Sequence, residues 1–384
     1  MRRLWIAIFT ITLVSHAPFA AAVTFALGRL GVAHARWSGV VIAAIGVTLL
    51  GGRLRRARAD APIARWKLLF VEEPYYAHWC ATVVAWPLLL LSSLAVLSHT
   101  LATGALGIAD RLGAAAFGSY GAALALCVYG VMVRRHWVRV RTIDVPIAGL
   151  GEAFEGYRIA HLSDLHIGGL WPRRRAERWA MRVAALDVDL VALTGDYVTH
   201  GGAFHDDIAA VLGSMRGRDG AVAVLGNHDY FCDAEPLVAQ LRARGVTVLR
   251  NEHIALARGA DAITIAGVDD TWSRRADVQR ALSGAPADQP VIALAHDPQL
   301  FPELSRGGSA LVLSGHTHWG QIAVPFLSTR YNLSRLSYRL HAGSYRDGSA
   351  VLYVSPGLGT TGPPMRIGAP PEITVIRLMR AARG

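Results

Sequence analysis

At 384 residues the chain is long enough for two domains, or for a membrane part and one soluble domain. Its 52% hydrophobic content and mean hydropathy of +0.32 are high for a soluble enzyme. Three cysteines in no paired spacing, Cys80, Cys127 and Cys232, argue against a disulfide framework or a thiolate metal site. A formal net charge of +11 would fit a nucleic-acid binder. Much of that charge, however, flanks apolar segments in the first 141 residues, which is the pattern of membrane topology, so no nucleic-acid partner is expected.

Four apolar segments lie near residues 4–27, 37–52, 77–101 and 112–133, each expected to cross a bilayer as a helix. The first follows Arg2 and Arg3; Ala20-Ala21-Ala22 also resembles a signal-peptide cleavage site, but the spans that follow favour an uncleaved helix. The N-terminus, the 53–67 loop and the 134–141 segment carry twelve Lys/Arg between them, whereas the other two connections carry Arg29, Arg36 and Arg111. The basic side belongs in the cytoplasm. Residues 1–141 are therefore expected to form a multi-pass inner- or plasma-membrane domain, and four spans leave the C-terminal part cytoplasmic. His16, His34, His78, His99 and His136 belong to this part and are expected at interfaces, with no charged pair among the spans.

Residues 142–154, with Val145-Pro146 and Gly149 to Gly151, have the texture of a linker, and 155–384 that of a second domain. Strands are expected at Tyr157–Leu162, Asp189–Leu193, Ala221–Leu225, Val246–Leu249, Ala262–Val268, Val291–Ala295, Ala310–Leu313, Ala350–Val354 and Ile373–Ile376. Helical patterns at Arg173–Ala185 and Ala234–Arg244 separate some of them. The mixture predicts an α/β domain with one large sheet or two packed sheets.

Five apolar runs each stop at a metal-capable side chain. They end in Ser163-Asp164-Leu165-His166, Thr194-Gly195-Asp196-Tyr197, Gly226-Asn227-His228-Asp229, Ala295-His296-Asp297-Pro298 and Ser314-Gly315-His316-Thr317-His318. Strand ends opening into such turns are where α/β folds place chemistry. In extended backbone, residues two apart face the same way, so Asp164 and His166 can grip one cation. A lone Asp after Gly is usually a turn and a lone His usually a packed one, but chance would scatter these residues over loops and helix faces. Asp, His and Asn without thiolate suit Mn, Fe or Zn. Seven candidate ligands are too many for one ion and suit two, the clamp used for displacement at phosphorus, with a free His as proton donor.

The order Asp-x-His, Gly-Asp, Gly-Asn-His-Asp, His, Gly-His-x-His resembles the calcineurin-like metallophosphoesterase superfamily over about residues 155 to 378. Leu193 to Val198, Ala266 to Asp270, Gly320-Gln321-Ile322 and Ala369 to Thr374 are similar to its membrane-associated YkuE/YaeI-like branch. The resemblance implies a two-sheet β-sandwich flanked by helices. It implies a first metal held by Asp164, His166 and His318, a second by Asn227, His296 and His316, and Asp196 bridging both. His228 would be the proton donor, with Asp229 behind it. Trp319 stands where relatives often have Gly, either lining the cleft or covering the site edge. The implied activity is hydrolysis of a phosphoester, as a phosphodiesterase or pyrophosphatase. Anchoring near a bilayer points to a lipid-linked substrate of the UDP-2,3-diacylglucosamine kind, as in lipid A synthesis.

Weaker candidates are His200, His205, Asp206 and Asp207, expected as a solvated loop with a helix cap. Asp269 and Asp270 are expected to be structural, and Arg366 is a candidate phosphate contact. Competing readings are a nuclease or cyclic-nucleotide phosphodiesterase, supported only by net charge, and a non-catalytic membrane sensor or scaffold, which a missing ligand would favour.

Overall fold

A computed structural model describes residues 2–59 and 61–381, the side chains of residues 2–5, 7 and 54–59 excepted. The side chains of Arg2, Arg3, Arg55, Arg56 and Arg58, part of the basic flanks counted above, lie outside the described residues. The chain divides into two compact units: Met1–Arg58, Ala64–Arg134 and Pro363–Met365 form one, and Ala59–Ile63, Arg135–Gly362 and Arg366–Gly384 the other.

The first unit is helical. Among the described residues four stretches, Ile8–Arg29, Ala35–Arg53, Arg65–Thr103 and Ile108–His136, are long and apolar enough to cross a membrane. The first is broken: helices Arg2–Ser15 and Ala17–Arg29 meet at His16. Pro18, in the first turn of the second helix, lacks the N–H that a continuous helix would use there. The unit holds more buried polarity than the sequence led us to expect. Arg53 Nε lies 2.9 Å from Glu72 Oε2, with both side chains buried, and the guanidinium sits 3.5 Å over the Tyr75 ring. His78 Nδ1 is 2.8 Å from Tyr120 Oη, and its ring meets that of His16. His16 and His78 are thus packed between helices rather than interfacial, and Arg53–Glu72 is a charged pair the sequence did not disclose.

The described residues of the second unit contain twelve strands: β1 (Arg139–Ile147), β2 (Arg158–Leu162), β3 (Leu190–Thr194), β4 (Ala221–Val224), β5 (Val246–Val248), β6 (Glu252–Arg258), β7 (Asp261–Val268), β8 (Val291–Ala295), β9 (Ser309–Ser314), β10 (Gly343–Asp347), β11 (Ala350–Val354) and β12 (Glu372–Arg380). They form two six-stranded mixed sheets, ordered β1-β12-β2-β3-β4-β5 and β10-β11-β9-β8-β7-β6. Strands β2 to β5 run parallel, as do β7, β8, β9 and β11.

Alternation along each strand sorts side chains between two cores. Leu190 and Ala192 face the space between the sheets with Val222, Val224, Ile265, Ile292, Leu294 and Leu313. Val191 and Leu193 face the helices on the outer side. Because both faces of β3 are covered, it reads as a continuous apolar run. Helix Arg173–Ala184 buries Ala176, Trp179, Ala180 and Val183, one stripe at helical spacing, against that face.

All nine expected strands are present, Val291–Ala295 and Ala350–Val354 with the expected ends and the other seven with shifted ones. The three unforeseen ones, β1, β6 and β10, are sheet edges, where half-exposed polar residues blur the apolar signal. The expected linker at 142–154 is corrected accordingly. Residues 139–147 pair in parallel with β12 from Arg139↔Glu372 to Ile147↔Arg380. Arg139 Nε donates to Glu372 Oε2 at 2.9 Å.

Candidate metal centre

The five strand-end blocks converge. Strands β2, β3 and β4 of one sheet and β8 and β9 of the other end at the same edge of the sandwich, so Asp164, Asp196, Asn227, His296 and His316 come together from five separate strands. Among the described residues three sets of side chains bring ligand atoms within 4.8 Å of one another: Asp164, His166 and His318; His166, Asp196 and His228; and Asp196, His296 and His316. His166 and Asp196 each belong to two sets, which links all three.

Five of these residues are held in the left-handed backbone region, at φ values of 53° for Asp164, 47° for His166, 56° for Asp196, 69° for His316 and 52° for His318. Each non-glycine residue there is strained, and such strain gathers at functional sites where the surroundings over-determine it. Neighbouring backbone amides share the restraint: Asp164 N donates to Gly195 O at 3.0 Å and His166 N to Asp196 O at 3.0 Å. The glycines of the motifs admit this closeness. A Cβ on Gly226 would sit 2.3 Å from Asp196 Oδ1, and one on Gly315 would sit 2.2 Å from Asp164 Oδ2.

The imidazoles are oriented from behind. His166 Nδ1 donates to Val198 O at 3.1 Å and His296 Nδ1 to Thr194 O at 2.7 Å, so each ring turns its Nε2 to the centre. There the ring nitrogens crowd. His166 Nε2 is 3.0 Å from His318 Nε2, His296 Nε2 is 3.2 Å from His316 Nδ1, and His296 Nε2 is 3.3 Å from Asp196 Oδ2. Asn227 Oδ1 is buried and has no hydrogen-bond partner among the described residues. Such a set of inward-facing acceptors fits positive charge between them, and its oxygen and nitrogen donors fit divalent cations.

The electrostatics agree. Burial alone would lower the pKa of His296, but the Asp196 and Asp164 carboxylates outweigh it and raise it to about 10. Burial and the neighbouring His228 lower His166 to about 3, and burial with His296 lowers His316 to about 4. Burial and His166 hold His318 well below its ordinary value. Those three rings are therefore kept in the neutral form that ligates.

His228 opens the short turn after β4, half-exposed at the rim. Its Nδ1 donates to Thr199 O at 2.8 Å, and its backbone N–H donates to Asp196 Oδ1 at 2.8 Å. This corrects the expected role of Asp229. The Asp229 carboxylate accepts instead from the backbone N–H groups of Asp196, Tyr197, Val198 and Gly226 at 2.9–3.1 Å. It ties the β3 and β4 turns together, and the Thr199 carbonyl sets the ring of His228.

Other expectations change too. Trp319 is 1% exposed, donates Nε1–H to Val354 O at 2.9 Å and packs with Ala323, Ala342 and Ala369, so it plugs a small core. Arg366 is fully buried, donating to Pro356 O, Gly359 O and Ala369 O with Nη2 3.4 Å from His318 Nδ1. It braces the chain behind a candidate ligand rather than meeting a phosphate. Asp269 accepts from Arg250 and Tyr230, a structural use. His205 begins helix His205–Gly213, with Asp206 and Asp207 in its first turn.

Sequence reasoning passed over three neighbours. Tyr338 Oη is 3.1 Å from His316 Nε2. Trp272, 64% exposed, packs its ring 5.7 Å from that of His316, and Phe231, 50% exposed, lies 4.3 Å from that of His228. None belongs to a strand-end block; the exposed aromatic in Asp-Asp-Thr-Trp, directly after β7, was the available signal for Trp272.

A family model described as calcineurin-like phosphoesterase matches residues 157–320. A "transmembrane protein with metallophosphoesterase domain" of Danio rerio is 34% identical over 273 residues, 67% of this chain and 61% of that protein. An uncharacterized metallophosphoesterase of Aquifex aeolicus is 30% identical over 251 residues, 63% of this chain and 92% of that protein. The uncharacterized metallophosphoesterase YkuE of Bacillus subtilis is 30% identical over 259 residues, 65% of this chain and 88% of that protein. The chain spans about three fifths of the length of the transmembrane relatives it matches. The chain belongs to the calcineurin-like metallophosphoesterases, a family that hydrolyses phosphoric esters with divalent metals.

Proposed function

We propose that the protein is a membrane-associated dimetal phosphodiesterase or pyrophosphatase acting on a lipid-linked phosphoester at the cytoplasmic face. The observation that carries this reading is the sharing of Asp196 between two sets of ligand atoms, with the unpartnered Asn227 Oδ1 beside them. Asp164, His166 and His318 would hold one ion, Asn227, His296 and His316 the other, with Asp196 available to both. Two such ions, Mn, Fe or Zn, would supply Lewis-acid polarisation of the phosphoryl group and an acidified water for in-line displacement.

The chain's own residues do the rest. His228 is anchored through Nδ1 to Thr199 O, so its imidazolium form has Nε2–H free to protonate the leaving oxygen. The Asp229 carboxylate keeps the turns bearing Asp196 and Asn227 in register. Phe231 and Trp272 give the mouth two exposed apolar walls, which favour a substrate with an apolar portion next to its phosphate.

The test is metal analysis of the purified full chain with turnover of a chromogenic phosphodiester and of a panel of nucleotide-lipid and phospholipid substrates. Two ions per chain and metal-dependent hydrolysis that falls in His228→Ala are expected. A protein that binds two ions and hydrolyses no phosphoester with Mn, Fe, Zn or Co overturns the reading in favour of a sensor or scaffold.

A further inference from the structure

Residues 324–339 form a surface loop between the turn bearing His316 and His318 and strand β10. The loop is ordered by its own backbone. Val324 N donates to Tyr331 O at 2.9 Å, Tyr331 N to Leu327 O at 2.8 Å, and Asn332 Nδ2 to Ser328 O at 2.7 Å. Yet its large apolar side chains point away from the protein. Phe326 is 103% exposed, Leu336 85%, Leu333 51% and Leu327 49%. Scattered exposed apolar residues are ordinary, but a run of this density on one ordered loop is not. Phe326, at the tip, also takes a φ of 67°, a position where glycine or asparagine would be relaxed.

Charge accompanies the apolar side chains. Arg330, Arg335 and Arg339 are exposed on the same loop, and no acidic residue occurs between Glu303 and Asp347. Exposed apolar side chains and arginines on one loop, with no carboxylate to repel phosphates, match the two layers of an anionic lipid leaflet. A partner protein of ordinary composition would leave those three arginines, with no acidic neighbour in the loop, unmatched. The chain's four membrane-span candidates keep a bilayer within reach.

We propose that the 324–339 loop is a bilayer-docking surface, which seats Phe326, Leu327, Leu333 and Leu336 in the acyl boundary and holds anionic headgroups on its arginines. The loop is rigidly coupled to the candidate metal centre. A Cβ on Gly320 would lie 2.5 Å from Ser334 N, and Tyr338 Oη reaches His316. Docking therefore presents the mouth of the centre to the lipid surface.

The experiment uses the full chain in liposomes containing phosphatidylglycerol and doxyl-labelled phosphatidylcholine. In a Cys232→Ser background, Phe326→Cys carries an environment-sensitive fluorophore. Ser283→Cys, exposed ahead of the N-terminal end of β8, carries the same label as a control, and Leu336→Cys repeats the measurement should Phe326→Cys misfold. The expected result is loss of most emission from the 326 and 336 labels to the doxyl lipid, none from the 283 label, and recovery of emission when Arg330→Glu and Arg335→Glu are added. Labels at 326 and 336 that respond to aqueous iodide as the control does, with no doxyl quenching, overturn the proposal. Shielding from iodide that grows with protein density but brings no doxyl quenching also overturns it, and assigns the loop to a second copy of the chain.

Discussion

His296 Nε2 lies 3.3 Å from Asp196 Oδ2, while its Nδ1 donates to the Thr194 carbonyl. Ring nitrogen and carboxylate therefore favour a positive charge between them at the middle of the centre, a proton or a cation. Asp196→Asn removes the charge shared by two ligand sets with little change in volume. Its expected consequence is a metal content below two per chain and a loss of activity of about a hundredfold or more, several kcal/mol of transition-state stabilisation. Elemental analysis beside phosphodiester turnover checks it. A variant with full metal content and full activity would remove Asp196 from the bridging position.

His228 and Asp229 are adjacent in the chain but separable in consequence. His228→Ala removes a half-exposed ring and is expected to keep the fold and metals while lowering turnover by about 10²–10⁴. Asp229→Ala strands four buried backbone N–H groups, at about 1–3 kcal/mol for each left unpaired, and is expected to lower the melting temperature and the metal content together. Thermal unfolding and metal analysis on both variants distinguish them. Equal loss of stability in the two would contradict the separation.

How far the sequence discloses such a site depends on what each feature rests on. The strand-end blocks were legible because parallel strands covered on both faces, such as β3, are apolar along their length and stop abruptly. Polar residues at Asp164, Asp196 and His296 then stand out. The edge strands were not, since Glu252–Arg258 mixes exposed and half-buried residues and its short apolar stretch, Ile254 to Ala257, is bounded by polar and charged ends. Nor was the task of Asp229 legible: its four amide partners come from turns 30 residues apart in the chain, and only the packed fold brings them together. Left-handed backbone at His166 and His318 is likewise fixed by tertiary contacts, since non-glycine residues seldom adopt it without them. Pro18 did mark the break in the first span, and the length of the apolar run masked it.

Trp319 separates a packing role from a substrate role. Its indole is buried among alanines and donates to Val354 O. Trp319→Phe keeps most of the apolar volume and loses that hydrogen bond, so it is expected to destabilise the chain by about 1 kcal/mol with KM unchanged. Denaturant titration and steady-state kinetics provide the check. A raised KM at unchanged stability would return Trp319 to the cleft.

Asp189, at the N-terminal end of β3, carries a pH dependence remote from the metal centre. Burial pushes its pKa up, but the Arg158 backbone N–H at 2.8 Å, Arg258 at 2.9 Å and Arg218 at 3.1 Å outweigh that and hold it below the ordinary carboxylate range. A carboxyl with a folded pKa below its unfolded one stabilises the fold above the unfolded value. That stability is lost as pH falls toward the folded value. Asp189→Asn is therefore expected to destabilise the protein by about 1–3 kcal/mol at pH 7, with the gap to the parent chain narrowing as acid protonates the parent's carboxylate. Melting temperatures of the two proteins, measured from pH 7 downward through the carboxylate range, check both the size and the sign. A gap that widens toward acid would show that the carboxylate is not stabilised by its arginines.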